Sequence, residues 1–478
     1  MKIALCYPTV SFEYNKIRDS GMAPHLSLLC IASHLKSVYD DISFMILDGH
    51  HLSIEEIKDK LSKEMPDIVG YSVDFTNYAN AVELSTFVKT IKPDVWNIVG
   101  SNHATNLYDI ILKNQKCIDY VSLGDGEPSW EDLVAVRLGK MNSEDARNIA
   151  FRKGDQIHKT AMTLMNLDEM VDVEYDMIDM QPYFEQQKEV FGDSFRMMQF
   201  TSQRGCANKP LCVFCGRYTD GIRFRDPKKF AKEIAYWTDR YELTEVWDRS
   251  DSFIQNTVWL REFAEELEKH TDRFLNKQTT FKTYARADQI LKPGIIDILK
   301  RLNFRMVFIG YEAGDDRILK NIGKHSNVDI YKRATDNVLT SGLDIDASFI
   351  VGLPGENKES LEHHKQFVEY LVGLGLDKIR VNQLLVLPGT PLYAAVMEKY
   401  PELKDKDIIS QDELQKLLFT TDLYDLSEFD FDVEKYQQEL RSTAKAMTDC
   451  IISVGGGAEG YGYGKDNNIL DGKQLQRK

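Results

Sequence analysis

Short apolar runs alternate with amphipathic stretches along the first 138 residues. KIALCYP (2–8), FMILD (44–48), DIVGYSV (67–73), WNIVG (96–100) and DYVSLG (119–124) are apolar and bounded by turn residues, the pattern of parallel strands buried on both faces. Helical patterns fall between them. Ser53, with Glu56 three positions on, predicts a capping box ahead of Ile54, Ile57 and Leu61, which share one helix face. Ser129 and Asp132 in SWEDLVAV predict a second box of the same kind. This alternation predicts an α/β fold opening with a doubly wound, Rossmann-like domain over 1–138, with ligands beyond the carboxyl ends of its strands. The loops at those ends are DGHH (48–51), SVDFTN (72–77), GSNHAT (100–105) and GDGEPS (124–129), whose small residues leave room for a flat or bulky ligand.

From 139 to 195 the pattern changes. IAFRKGDQIHKT reads as a hairpin turning at Gly154 and Asp155. An acidic, Met-rich run follows, LMNLDEMVDVEYDMIDMQPYF, expected to drape over the next domain as a connector, its methionines filling gaps in packing. From 196 to 395 the alternation resumes with longer units. RMMQFTS (196–202), LTEVWD (243–248), TFKTYAR (280–286), MVFIGYE (306–312), DIDASFIVG (344–352) and IRVNQLLVL (379–387) read as six strands in series. Helical stretches separate them, predicting a partial parallel (β/α)6, TIM-like barrel with its chemistry at the C-terminal rim. Residues 396–478 read as a helical C-terminal region ending in a Gly-rich tail, GGGAEGYGYGKDNN, expected to be mobile.

Charge and cysteine content narrow the function classes. A formal charge of -16 disfavours nucleic acid as the main partner. No run is long enough to span a bilayer, and the opening MKIALCYPTVSFEYNK is too short in apolar residues for a secretory core, so a cytoplasmic location without membrane partners is expected. Seven cysteines, an odd number, make no disulfide framework. Three of them, Cys206, Cys212 and Cys215, fall within RGCANKPLCVFCGR in the loop after the first barrel strand. Three thiolates in one short loop suit a metal centre with one coordination position left over. An iron–sulfur cluster, a zinc site and inert buried thiols all remain open on the cysteines alone.

The motifs around that loop change the weighting. The chain resembles the radical SAM enzymes, barrel proteins in which a three-cysteine loop holds a 4Fe-4S cluster and S-adenosylmethionine (SAM) binds the fourth iron. The resemblance rests on YARAD (284–288), FIGYEAGDDRIL (308–319), FIVGLPGEN (349–357) and LLVLPGTPLY (384–393), in order and at barrel spacing. The usual C-x3-C-x2-C becomes C-x5-C-x2-C here, with Asn208, Lys209 and Pro210 in the longer arm and the aromatic Phe214 kept before the last cysteine. The resemblance implies Cys206, Cys212 and Cys215 as cluster ligands converging on one iron centre. It implies SAM contacts from Phe214, Arg286, Glu312, Gly352 and Gly355, with Asp248 or Asp251 of WDRSDSF as a further contact. The basic stretch Arg217, Arg223, Arg225, Lys228 and Lys229 is a candidate dock for an acidic electron donor, a flavodoxin or ferredoxin.

Residues 1–138 resemble the cobalamin-binding domain fused in front of many such barrels, through MAPHLSLLCIASHL, ILDGHH, PDIVGYSV, IVGSNHAT and SLGDGEPSWEDL. Ser72, Gly100, Ser101 and Gly124 are placed to line a slot for the corrin's nucleotide tail, and His25, His50 and His103 are candidates near the corrin. The family commonly has two glycines where Gly100 and Ser101 stand, and no D-x-H-x-x-G element is present. The resemblance implies cobalamin-dependent C-methylation of an unactivated carbon: one SAM methylates the cobalt, a second generates a 5'-deoxyadenosyl radical, and the substrate carbon takes the methyl group. The alternative is a radical oxidation, cyclisation or rearrangement without cobalamin chemistry. The substrate is expected to be a small molecule or peptide.

Overall fold

The structure, a computed structural model, describes residues 1–10, 22–218 and 221–453 and the backbone of 457–459. The first sheet contains β1 (Lys2–Tyr7), β2 (Ser43–Asp48), β3 (Ile68–Ser72), β4 (Trp96–Gly100) and β5 (Tyr120–Ser122), all parallel. It continues through an antiparallel hairpin, β6 (Ile149–Lys153) and β7 (Gln156–Lys159), in the order β2-β1-β3-β4-β5-β6-β7. Alternation along β1 explains its continuous apolar run. Ala4 and Cys6 enter the core beneath helices Ile54–Glu64, Tyr78–Ile91 and Asn102–Asn114, while Ile3, Leu5 and Tyr7 enter the opposite core beneath Leu26–Val38 and Gly126–Arg137. Each strand is thus covered on both faces, as a doubly wound sheet requires.

Ser53 forms the expected capping box: its backbone N–H donates to Glu56 Oε2 at 2.8 Å, and the Glu56 N–H donates to Ser53 Oγ at 3.3 Å. The box expected at Ser129 and Asp132 is not a cap. That helix begins three residues earlier, at Gly126, and takes Pro128 into its first turn, where a missing N–H costs no helical hydrogen bond. Ser129 Oγ instead donates to Gly126 O, and Asp132 receives a forked pair of bonds from Arg147.

The segment between the domains does more than connect. Its hairpin extends the first sheet past residue 138, and its later part packs Met165, Met170 and Met180 into the barrel core beside Tyr175 and Tyr183. A helix, Gln181–Phe191, carries Tyr183 OH to Asp48 Oδ2 at 2.8 Å and buries Gln187 against both the N–H and the C=O of Met197. The segment therefore fastens the end of β2 to the first barrel strand.

The second sheet is parallel throughout: β8 (Met197–Phe200), β11 (Glu245–Asp248), β12 (Thr280–Ala285), β13 (Phe304–Glu312), β14 (Asp344–Val351) and β15 (Lys378–Gln383), all six expected strands in order. A seventh, β16 (Gly457–Glu459), pairs with β15 at the open edge. The Gly-rich tail read as mobile therefore contributes a strand; its remainder lies outside the described residues. Helices Pro391–Lys399, Gln411–Phe419 and Val433–Ser453 form the C-terminal region. Among the described residues no helix is long and apolar enough to cross a membrane.

Candidate active site

A two-stranded ribbon that the sequence did not reveal carries the cysteine loop. β9 (Gln203–Cys206) pairs antiparallel with β10 (Gly221–Phe224), setting Cys206 opposite Gly221. The ribbon closes the loop at its base, and Gly205 is required there: its φ is +92°, and a Cβ would stand 2.0 Å from Gly221 O. The loop's far end docks on the turn after the helix Asp316–Asn321 that follows β13, where Val213 N–H donates to Ile322 O at 3.1 Å and Cys212 Sγ lies 3.8 Å from Gly323 O.

All three cysteines are free, and they influence one another electrostatically, Cys206 acting on Cys215 and Cys215 on Cys212. Burial pushes the Cys212 thiol up to about 11, with Lys324 opposing, and burial raises Cys215 as well. Among the described residues no three Cys, His, Asp or Glu side chains are gathered tightly enough to grip a single metal ion. A polynuclear cluster, in which each thiolate takes a different iron, makes no such demand. Asn208 is the loop's buried centre. Its N–H donates to Cys206 Sγ at 3.5 Å, and its Nδ2 reaches Cys212 Sγ at 3.3 Å, Pro210 O at 3.1 Å and Gly323 O at 2.8 Å.

The neighbouring strand ends hold the residues expected at SAM. Glu312 ends β13 in a left-handed conformation, φ +64°, at a break in register with β14. Its carboxylate accepts from Lys324 Nζ at 2.7 Å, a buried pair that sequence reasoning missed. Gly310 makes room for it, since a Cβ there would lie 2.3 Å from Glu312 Oε1. Arg286, at the end of β12, is spread over Asp288 Oδ1 (2.9 Å), Asn208 Oδ1 (3.2 Å) and Lys324 O (3.0 Å), three of its five N–H groups being engaged among the described residues. Gly352 and Gly355, at φ +93° and +81°, shape the turn after β14. Glu356 folds back to accept from Gly352 N–H at 2.8 Å, and Tyr424 from the C-terminal region donates to Gly352 O at 2.7 Å. Phe214 is half-buried against the barrel core.

Asp248 and Asp251 separate. Asp248 is fully buried and accepts from the backbone N–H groups of Ser202 (3.0 Å) and Ser250 (2.9 Å), and burial pushes its pKa up to about 6. Asp251 is paired with Arg217 and lines a cleft of about 230 Å³ between the two domains. The first domain contributes Ser27, Gly124, Asp125, Gly126 and Glu127 to this cleft, and the ribbon contributes Arg204 and Arg223. Arg204 Nη1 donates to Asp125 Oδ1 (3.0 Å) and Glu127 Oε2 (2.9 Å), Arg223 Nη1 to Asp125 Oδ2 (2.6 Å), and Tyr218 OH to Asp125 Oδ1 (2.8 Å). Burial opposes ionisation of Asp125, but Arg223 and Arg204 outweigh it and hold the pKa at about 2.

These pairings take the arginines of the basic stretch out of an open dock for an electron donor, while Lys228 and Lys229 stay exposed. Arg217 and Arg223 are committed to Asp251 and Asp125, and Arg225 is 2% exposed between Glu233 and Asp172. Lys229 donates to Asp168 O. An acidic protein with buried carboxylates at its domain contact consumes its arginines internally.

Ser72, Gly100, Ser101 and Gly124 do stand at the ends of β3, β4 and β5. A Cβ on Gly100 would meet Ser122 Cβ at 3.4 Å, Ser101 adopts φ +98° and donates to Val73 O, and Gly124 (φ +63°) faces Met162 and Tyr218. His103 begins the following helix with its ring 5.2 Å from Tyr78 and its buried Nε2 without a hydrogen-bond partner; burial pulls its pKa down to about 4, so the imidazole is neutral. His25 stacks on Tyr7 at 4.3 Å, with burial pulling it too to about 4, and burial lowers His50 beside the same ring.

An open parallel barrel with three free thiols at its rim, fronted by a doubly wound domain, defines an α/β cofactor-dependent enzyme. The description "Radical SAM superfamily" matches residues 200–368, and "B12 binding domain" matches residues 20–134. The chain therefore belongs to the radical SAM enzymes that carry an N-terminal B12-binding domain, whose cofactors are a 4Fe-4S cluster, SAM and cobalamin. It is 24% identical over 409 residues to an uncharacterised methyltransferase of Pyrococcus horikoshii, covering 82% of each chain. It is 26% identical over 320 residues to the anaerobic magnesium-protoporphyrin IX monomethyl ester cyclase of Synechocystis, covering 65% of this chain and 61% of the cyclase. The fold matches the cobalamin-dependent radical SAM enzyme OxsB with a TM-score of 0.66 at 17% identity, over 87% of this chain and 56% of OxsB. It matches the radical SAM methyltransferase TsrM of Kitasatospora setae with a TM-score of 0.68 at 14% identity, over 83% and 78%.

Proposed function

We propose that the protein is a cobalamin-dependent methyltransferase acting on an unactivated carbon of a small-molecule or peptide substrate. The observation that carries this reading is the cleft itself: the turn after β5 of the first domain and the base of the cysteine loop open onto one space. A substrate seated there is flanked by the loops of both domains. The chain's residues suit the cofactors in chemistry. Cys206, Cys212 and Cys215 are unpaired thiols in one loop and would hold the cluster. Arg286 and Asp251 offer charge for the amino acid end of SAM, Glu312 a carboxylate, Gly352 and Gly355 close approach for its adenine, with Phe214 alongside. Ser72, Gly100, Ser101 and Gly124 would line the slot for cobalamin, with the neutral His103 beside it, its Nε2 without a hydrogen-bond partner among the described residues. Asp248 acts from behind, holding the Ser202 and Ser250 backbones in place.

When bound, the cluster supplies one-electron cleavage of SAM and cobalamin supplies methyl carriage. The protein's own contribution is to position the reacting groups and exclude water. An outside one-electron donor of flavodoxin or ferredoxin type completes the system.

The Synechocystis relative, named for ring closure, favours a second reading, radical oxidation or cyclisation without methyl transfer. Anaerobic reconstitution separates the two. With SAM, reductant and hydroxocobalamin, methyl transfer yields S-adenosylhomocysteine as well as 5'-deoxyadenosine, and omission of hydroxocobalamin abolishes the first product. Release of 5'-deoxyadenosine alone, whether or not a corrinoid is bound, favours the second reading. Alanine at Cys206, Cys212 or Cys215 is expected to abolish iron retention and both products; iron retained in all three variants would remove these cysteines as ligands.

A further inference from the structure

The longer arm of the cysteine loop contains a residue with more contacts than its length requires. Asn208 is 4% exposed, donates from its backbone toward one cysteine sulfur and from its amide toward a second, and receives Arg286 on its carbonyl oxygen. The amide orientation is fixed by its neighbours. A guanidinium can only donate, so Oδ1 faces Arg286, while Pro210 O and Gly323 O can only accept, so the NH2 group faces them and the sulfur of Cys212, its two N–H bonds shared among the three acceptors. Turning the amide over would oppose donor to donor and acceptor to acceptor. In the free loop Cys212 can also act as a weak donor to Gly323 O at 3.8 Å. A ligating cysteine is a thiolate and accepts only, which leaves Asn208 as its amide donor.

We propose that Asn208 is a positioning residue that raises the reduction potential of the cluster by donating a side-chain hydrogen bond to the sulfur of Cys212, beside the backbone N–H that its main chain gives Cys206. The reduced cluster carries one more negative charge than the oxidised one, so donors aimed at its thiolates stabilise the reduced form. Arg286, hydrogen-bonded to Oδ1, polarises the amide and strengthens the bond on its far side. The same arginine reaches the Lys324 backbone O, and Lys324 Nζ at the other end of that side chain pairs with Glu312, so Lys324 stands between the cysteine loop and the carboxylate assigned to SAM. The extra length of the C-x5-C arm is thereby explained: it lets the chain place a side-chain amide between two ligands. The inference rests on the cysteine assignment above and is independent of whether a methyl group is transferred.

The test is an EPR-monitored redox titration of the anaerobically reconstituted full chain with cobalamin bound and SAM absent, with iron counted in every sample. Asn208→Ala is expected to retain iron and to shift the oxidised-to-reduced ratio at the natural midpoint by up to tenfold toward oxidised, about 59 mV for a one-electron couple. Asn208→Asp, which sets a carboxylate beside sulfur, shifts it at least as far. Unchanged midpoints in both variants at full iron content overturn the proposal. If the alanine chain loses iron, Asn208→Ser, which restores a donor, must regain the cluster at a lowered midpoint. Iron loss in the serine chain too marks Asn208 as a folding residue only and likewise overturns it. Iron retained by a chain lacking all three cysteines would fail the ligand assignment instead, whatever the Asn208 variants do.

Discussion

Two aspartates beside the same cleft are nearly inaccessible, yet they are held in opposite ways. Asp125, 2% exposed, belongs to the acidic turn of the first domain and receives Arg204, Arg223, Tyr218 and the Met165 N–H. Asp248, 0% exposed, ends β11 and receives backbone N–H groups, with no cation paired to it among the described residues. Burial raises both, but counterions reverse the outcome at Asp125, which falls to about 2, while Asp248 rises to about 6. The difference separates two tasks. The domain contact is an ionic knot whose charges are already matched. At the end of β11 the buried carboxylate is held by neutral backbone donors instead.

The comparison breaks most severely at Arg204. Replacing it with alanine leaves Asp125 and Glu127 buried with one counterion fewer, and such losses cost about 3–5 kcal/mol. Chemical denaturation is expected to lose that stability, and hydrogen exchange should accelerate in β9, β10 and residues 124–129. An unchanged exchange pattern would show that the knot does not hold the domains.

The pH dependence sharpens the contrast because the two signs differ. Asp125, lowered in the folded state, contributes stability that is present above about pH 4 and lost as pH falls toward about 2. Asp248, raised in the folded state, contributes stability that is present below about pH 4 and lost as pH climbs through about 6, a swing of at most ~3 kcal/mol. Asp248→Asn should flatten the stability profile between pH 4 and 8 while leaving the acid limb untouched. A profile that keeps its slope there would show that Asp248 does not titrate as described.

The smallest effect is expected at Tyr218. Its hydroxyl is one of four donors to Asp125, so Tyr218→Phe should cost about 1 kcal/mol. The same change should move the acid limb upward, toward the ordinary aspartate range, and a limb that stays put would assign the lowering to the arginines and the Met165 N–H.

Much of this architecture was legible because it is local. The apolar runs of β1 to β5 and the six barrel strands announce themselves by period and length, and the Ser53–Glu56 box by spacing alone. The second capping reading failed because Gly126 and Pro128 form an equally good helix start, and choosing between them depends on how the turn meets Arg204 and Tyr218. The β9–β10 ribbon was hidden because four-residue strands around two glycines carry too little periodicity to register. The basic stretch misled for a related reason: a row of arginines looks the same in sequence whether its partners are solvent, another protein, or carboxylates 98 residues away, as Asp125 is from Arg223.

The sequence by itself determined the order of elements, the two-domain plan and the three thiols with their aromatic neighbour, since each depends on residues close together along the chain. Only the tertiary structure decided which charges cancel, that Lys324 pairs with Glu312, and that Asn208 sits between two cysteine sulfurs. Those outcomes follow from burial and from electrostatics across long loops, where the low dielectric makes the nearest partner in space decisive and its distance along the chain irrelevant.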